Sequence, residues 1–203
     1  MSLDFDSARL PNTRLKPEHH EWRAQLRRFF DREVIPYADQ WDEDGCIPDE
    51  LWPKSAEVGI LGLGYPEEFG GVSEGIDLWY SIILNEEMSR VAVGGLGATL
   101  MVHGIGLPPV INFGSDEIKK MVAPPVLAGS KRISLAITEP GAGSDVAHLT
   151  TTARLDGDHY VVNGSKTYIT GGMNANWFTT AVRTGGEGAG GVSTLLIPAD
   201  AEG

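Results

Sequence analysis

The stretch "KRISLAITEPGAGSD", residues 131–145, is where this chain changes character. Its apolar run "ISLAI" (Ile133–Ile137) breaks at a Thr-Glu-Pro corner into a loop with two glycines and a serine. Upstream, residues 1–132 hold 13 Lys/Arg and 21 Asp/Glu but only two threonines. Downstream, residues 133–203 hold three Lys/Arg, seven Asp/Glu and ten threonines. The β-branch of Thr stiffens the side chain and suits a pleated surface. The switch predicts an α+β chain, with an N-terminal all-α domain over 1–132 and a β-rich domain over 133–203.

Periodicity agrees with composition. In "PEHHEWRAQLRRFFDREVIP", Trp22, Leu26, Phe29, Phe30 and Glu33 follow helical spacing, with Pro17 in the first turn and Pro36 ending the run. A second stripe runs through Ile76, Trp79, Tyr80, Ile83, Leu84, Glu87, Met88 and Val91. A third helix is expected through "GATLMVHGIGLPPVINFG", bent at Gly106 and Pro108-Pro109. A fourth starts at the N-cap Ser115 and is stopped by Pro124. After Ile133 the period falls to two. "TTTARLDGDHYVVNGSKTYIT" predicts three strands turning at Asp156-Gly157 and Asn163-Gly164, and "WFTTAVRT" and "VSTLLIPAD" predict two more.

The formal net charge of −12 disfavours a nucleic-acid backbone or an anionic membrane as the main partner. Cys46 stands alone, which excludes a disulfide framework and a cysteine-based zinc site and fits a reducing compartment. "MSLDFDSARL" does not read as a secretory signal, and no apolar run reaches the roughly 18–20 residues of a membrane span. The chain reads as soluble and cytoplasmic.

Several motifs lose to plainer readings. Gly186-x-Gly188-x-x-Gly191 matches a dinucleotide fingerprint, but a strand-like segment follows where a helix N-terminus would have to meet the pyrophosphate. His19 and His20 are adjacent and so do not share a helix face; no metal site is predicted. His103 sits among small and apolar residues as a core or lining histidine. Glu87 interrupts an apolar stripe, so a cation such as Arg90 is expected to pair with it. Two patches remain, "AITEPGAGSD" (136–145) and "SKTYITGGMNANW" (165–177). Acids flank the first, at Glu139 and Asp145, which speaks against a phosphate cradle. Tyr168 and Thr170 alternate onto one strand face, and Thr138 ends the preceding strand in the same fashion. A ring, hydroxyls and strand-end N–H groups would suit a flat heteroaromatic ligand. Plain turns would use the same residues.

"LAITEPGAGSDVAHLTTTARLDGDHYVVNGSKTYITGG" resembles the middle region of the acyl-CoA dehydrogenases. "ILGLGYPEEFGG" (60–71), "LNEEMSRV" (84–91) and "FGSDEIKKMVAPPVLAGS" (113–130) resemble their N-terminal helical domain, in order. The resemblance implies a helical domain, an antiparallel β-barrel or sandwich domain that is incomplete here, and a C-terminal helical bundle that is absent. It implies FAD as cofactor, an acyl-CoA thioester oxidised at Cα–Cβ to the trans-2-enoyl-CoA, and an electron-transfer flavoprotein or similar acceptor. It also implies a homotetramer or dimer acting in fatty-acid β-oxidation, in the cytoplasm or, in a eukaryote, the mitochondrial matrix.

By the same resemblance, Leu135, Ala136, Ile137, Thr138, Gly143 and Ser144 would edge the flavin, with Thr138 at its pyrimidine end. Tyr168, Ile169 and Thr170 would cover one face. Ser144 would also touch the pantetheine, and Leu100 and His103 would help line the acyl pocket. Three departures stand out: Tyr168 where many members have Trp, a "TGGEGAGG" loop without a cation, and no catalytic glutamate. The family's base lies in the C-terminal domain, so no catalytic residue is assigned here. An acyl-CoA oxidase or related flavin monooxygenase, and a non-catalytic half-protein needing a C-terminal partner, are the alternative readings.

Overall fold

The computed structural model of the chain describes residue 6 and residues 10–202. They form two compact units, one made of residues up to Met101 with Ala123–Ser130, the other of Val102–Val122 with the residues from Lys131 on.

The helical unit is organised by α1 (Pro17–Glu33), α2 (Ala38–Asp44), α3 (Leu51–Val58), α4 (Leu78–Met88) and α5 (Gly94–Leu100). Helix α1 begins with Pro17 in its first turn, where a missing N–H costs nothing, and buries Trp22, Leu26, Phe29 and Phe30. It lies against α4, with Trp22 Nε1 donating to the carbonyl of Tyr80 at 3.1 Å. The Asp77 side chain caps α4 by accepting from the Trp79 amide, and its carboxylate also lies 3.1 Å from Nε2 of buried His19. Helices α2 and α3 were not foreseen. Their sequences are short, and prolines flank or enter them, so no apolar period builds up.

Glu87 is fully buried in this unit. Its carboxylate accepts from Arg23 and Arg27 at 3.0 Å, with Arg90 at 3.5 Å. The expected Arg90 pairing is therefore present, and two cations from α1 add to it. Burial pushes the Glu87 carboxyl up, and the hydrogen bonds from Arg27 and Arg23 outweigh it, leaving it below the ordinary carboxylate value.

The second unit contains α6 (His103–Gly106), α7 (Pro108–Phe113) and the start of α8 (Asp116–Leu127), followed by five strands. The predicted single bent helix is thus three short segments, α5 to α7. The Ser115 hydroxyl accepts from the Ile118 amide as expected of an N-cap. Pro124 does not stop α8, which runs through Pro124 and Pro125 to Leu127. Burial of Val122, Ala123, Val126 and Leu127 holds the helix together across the missing N–H groups. Val102–Val122 pack with the sheet instead of following the compositional boundary at 132, because α6 lies on the first strand. There Thr179 Oγ1 donates to the Gly106 carbonyl at 2.6 Å.

The strands are β1 (Ile133–Ala136), β2 (Thr152–Asp156), β3 (His159–Asn163), β4 (Trp177–Arg183) and β5 (Val192–Pro198). β2–β3 and β4–β5 are the antiparallel hairpins that the sequence predicts. The sheet as a whole is mixed, because β1 runs parallel to β4 and β2 meets β4 in parallel through Thr152 and Arg183. Parallel pairing needs a long connection, and residues 137–176 supply it. With β5 along one edge of β4, β1 and β2 share the other edge in succession. The chain leaves that edge after Ala136 and rejoins it at Thr152.

The third strand predicted within 165–170 does not form. Asn163-Gly164 ends β3 without making a hairpin, and a Cβ on Gly164 would collide with the backbone and side chain of Thr151. Among the described residues no single helix is long and apolar enough to cross a membrane.

Replacing Glu87 by Ala strips three arginines of their shared buried anion and should lower stability by about 3–5 kcal/mol. Urea denaturation of the intact protein checks this through a fall in midpoint at unchanged slope.

Candidate functional site

The loop from Ile137 to Thr151 is the insertion that interrupts the β1/β2 edge, and a single carboxylate closes its neck. Glu139 is 5 % exposed. Its Oε2 accepts from the Thr150 amide and hydroxyl, both at 2.7 Å, and its Oε1 accepts from the Thr151 amide at 2.8 Å. Lys166 Nζ donates to Oε1 at 2.9 Å and to the Ile137 carbonyl at 2.9 Å. Burial pushes this carboxyl up, but the bonds from Thr151, Thr150 and Lys166 hold it far below the usual carboxylate range. A backbone pair between Glu139 and Ala142 tightens the Pro140-Gly141 corner.

Held this way, the loop presents Gly143 and Ser144 to the exterior. A Cβ on Gly143 would meet nothing within 4 Å, so the backbone there is open to close approach. The second patch reaches the first through the Thr167 amide, which donates to the Thr138 carbonyl at 2.9 Å. Ser134 Oγ, on β1, donates to the Thr170 carbonyl at 2.8 Å. The two stretches are therefore neighbours in space, as required of two walls of one site.

Tyr168 is not on a strand face as expected. Its φ is +55°, the single positive-φ residue other than glycine among those described, and its side chain is 91 % exposed. A bulky residue in the left-handed region carries strain of about 1–3 kcal/mol, which persists only where the surroundings impose it. Here the pull of Lys166 toward Glu139 and the Thr167–Thr138 bond fix the chain on the N-terminal side. Met173, 97 % exposed, adds a second apolar side chain nearby. Ala136, Tyr168, Ile169, Met173 and Phe178 line a cavity of about 540 Å3, with Lys166 and Thr180 among its polar residues.

The remaining candidates are placed as follows. Ala136 is buried, while Leu135, Ile137 and Thr138 are half-buried. The hydroxyls of Thr138 and Thr170 make no hydrogen bond among the described residues. Leu100 is buried in the core of the helical unit. His103 is buried within the sheet-containing unit. No group of His, Cys, Asp and Glu among the described residues could hold a metal ion. The pairing of Glu139 with Lys166, both within the quoted patches, spans 27 residues and leaves no local spacing signal in the sequence.

The exposed ring, the two unspent hydroxyls and the open Gly143–Ser144 backbone fit a flat, polar-edged ring system. Comparison with known proteins bears on which. Residues 16–130 match the family model for the acyl-CoA dehydrogenase N-terminal domain, and residues 134–203 match that for its middle domain. The acyl-CoA dehydrogenase apdG of Emericella nidulans is 35 % identical over 206 residues, covering 93 % of this chain and 47 % of that protein. An acyl-CoA dehydrogenase structure from Geobacillus kaustophilus aligns with a TM-score of 0.84 at 36 % identity, covering 94 % of this chain and 50 % of that one. One from Bacillus anthracis, solved in complex with FAD, aligns with a TM-score of 0.79 at 32 % identity, covering 94 % and 32 %. The chain spans about half the length of the curated relatives it matches.

Glu139→Gln should raise hydrogen exchange at the Thr150 and Thr151 amides by at least about tenfold, since bonds to a charged acceptor are the strong ones. The pH sign follows from a depressed carboxylate. The clamp contributes in full above the unfolded value near ~4.3 and weakens as pH falls through the lower folded value. Loop protection in the unaltered protein should hold from neutrality to about pH 5 and fall only in stronger acid, as exchange at stepped pH would show.

Proposed function

The chain belongs to the acyl-CoA dehydrogenase family, and we propose that it forms the flavin-facing part of an enzyme that oxidises an acyl-CoA thioester to its trans-2-enoyl product. The observation that carries this is Tyr168, an exposed ring on strained backbone beside two unspent threonine hydroxyls. FAD, when bound, supplies the hydride acceptor for breaking the Cβ–H bond as the α-proton is removed.

This chain's residues then have separable tasks. The Tyr168 ring offers a face for stacking, with Ile169 and Met173 extending the apolar surface. Thr138 and Thr170 have O–H groups to donate at the polar edge of the ring, which stabilises the negative charge gained on reduction. Gly143 and Ser144 lie open on their loop, suited to the pantetheine arm. Leu100 and His103 are proposed for the acyl end. FAD recognition by Thr138, Tyr168 and Thr170 is supported by the match to the family's middle domain and by the FAD complex of the Bacillus anthracis relative.

Three carboxylates that stand in the family-like stretches are spoken for. Glu86 pairs with Arg23, Glu87 with three arginines, and Glu139 with Thr150, Thr151 and Lys166. A general base needs a free lone pair and a pKa near working pH. Glu139 and Glu87 each accept four hydrogen bonds, so neither is assigned the α-proton. Electron-transfer flavoprotein as acceptor, homo-oligomerisation and cytoplasmic location are carried over as proposals from the resemblance.

The intact gene product should purify with flavin absorbance that acyl-CoA bleaches anaerobically. Absence of flavin, or of bleaching in a flavin-loaded sample, sinks the proposal, while peroxide release during turnover would make the enzyme an oxidase. Tyr168→Ala should weaken FAD binding by roughly tenfold or more, as titration of the apoprotein would read, because base–aromatic stacking of this kind contributes about 1–3 kcal/mol.

A further inference from the structure

Arg183, at the end of β4, is not used by any of the tasks above, yet its side chain makes four hydrogen bonds. Four of the five N–H groups of a guanidinium are spent on backbone carbonyls. Nε donates to Leu149 at 3.1 Å and Nη2 to Ala147 at 2.6 Å. Nη1 donates to Gly186 at 2.6 Å and to Gly188 at 3.1 Å. The Arg183 amide also donates to the Thr151 carbonyl at 2.7 Å, where the chain rejoins the edge of β4. One side chain thus fastens the returning limb of the Gly143–Ser144 loop to the glycine-rich 184–191 loop.

The second loop is itself tightly defined. Thr184 Oγ1 and Ser193 Oγ share a hydrogen bond across its neck. A Cβ on Gly191 would collide with the Gly186 carbonyl and crowd the Arg183 guanidinium. Lysine could not replace this fork, since a single ammonium cannot reach carbonyls on two loops in one plane.

We propose that Arg183 is a positioning residue for the substrate arm. By bracing Val146–Leu149 against the 184–191 loop, it fixes where Ser144 and the Gly143 backbone meet the pantetheine of an acyl thioester. This rests on the function proposed above. Because its donors face inward to carbonyls, Arg183 does not itself bind the substrate's phosphates. It acts on any acyl thioester with a pantetheine arm, with or without the nucleotide.

The test uses Arg183→Met and Arg183→Lys in the intact, flavin-loaded protein. Both should raise KM by about tenfold or more with kcat within about threefold, the split expected when ground-state positioning is lost. The rise should be equal for acyl-CoA and for the matching acyl-pantetheine. Amides of Ala147–Leu149 should exchange faster in both variants. Wild-type KM and exchange in either variant overturns the proposal, as does a rise confined to acyl-CoA, which would make Arg183 a nucleotide contact. A fall in thermal stability with KM unchanged overturns it too. Should Arg183→Met fail to fold, Arg183→Lys carries the same readouts. If the wild-type protein shows no acyl-CoA oxidation, the functional reading has failed, and faster exchange at Ala147–Leu149 still decides whether Arg183 braces the loop.

Discussion

The bond set around Glu139 is the constraint from which the two loop stretches, 137–151 and 165–170, take their shape. A carboxylate this deeply buried is tolerable only when it is fully satisfied, and here two backbone amides, one hydroxyl and one ammonium satisfy it. Those donors come from two places in the sequence: the return limb of the loop at Thr150 and Thr151, and Lys166 from the segment after β3. Satisfying the charge therefore dictates the fold. The loop must close, the 165–170 segment must pass close to Thr138, and no strand can form there. The exposed Tyr168 ring is a downstream consequence of where Lys166 is held.

The helical unit uses the same device with the signs distributed differently. Glu87 is the buried anion on α4, and the cations arrive from α1 and from one turn along. In a chain with 28 acids and 16 Lys/Arg, several of the cations are consumed inside the fold. Arg23, Arg27, Arg90, Lys166 and Arg183 are all engaged internally. These five hold the fold together, in a chain whose formal net charge is −12.

What the sequence revealed, and what it hid, follows from the range of the forces involved. α1 and α4 were legible because their apolar residues repeat at helical spacing within one segment. So were the β2–β3 and β4–β5 hairpins. Helices α2 and α3 were hidden, being too short to show a period. The end of α8 was misread because Pro124 is a local stop signal that burial of Val126 and Leu127 overrides. The sequence marked two patches that the structure brings together, and Thr138, Ser144, Tyr168 and Thr170 are the candidates it offered there from residue type and resemblance. Their geometry was not legible. "YIT" reads as a strand, whereas Tyr168 lies in the left-handed region two residues after Lys166, which is held by Glu139 from 27 residues away.

That strain gives a physical meaning to tyrosine at 168, where the resemblance set out above implies tryptophan in many members. A smaller ring offers less area for stacking, so its contribution depends more on being held in place beforehand. A ring on a freely rotating strand would lose rotamer and backbone freedom on binding and spend part of its stacking energy doing so. At Tyr168 the backbone is already committed by the Thr167–Thr138 bond and by Lys166. Under the proposed function, that commitment lowers the ordering cost of stacking, so the Glu139 clamp and the Tyr168 ring would act together, and weakening the first would loosen the backbone that carries the second.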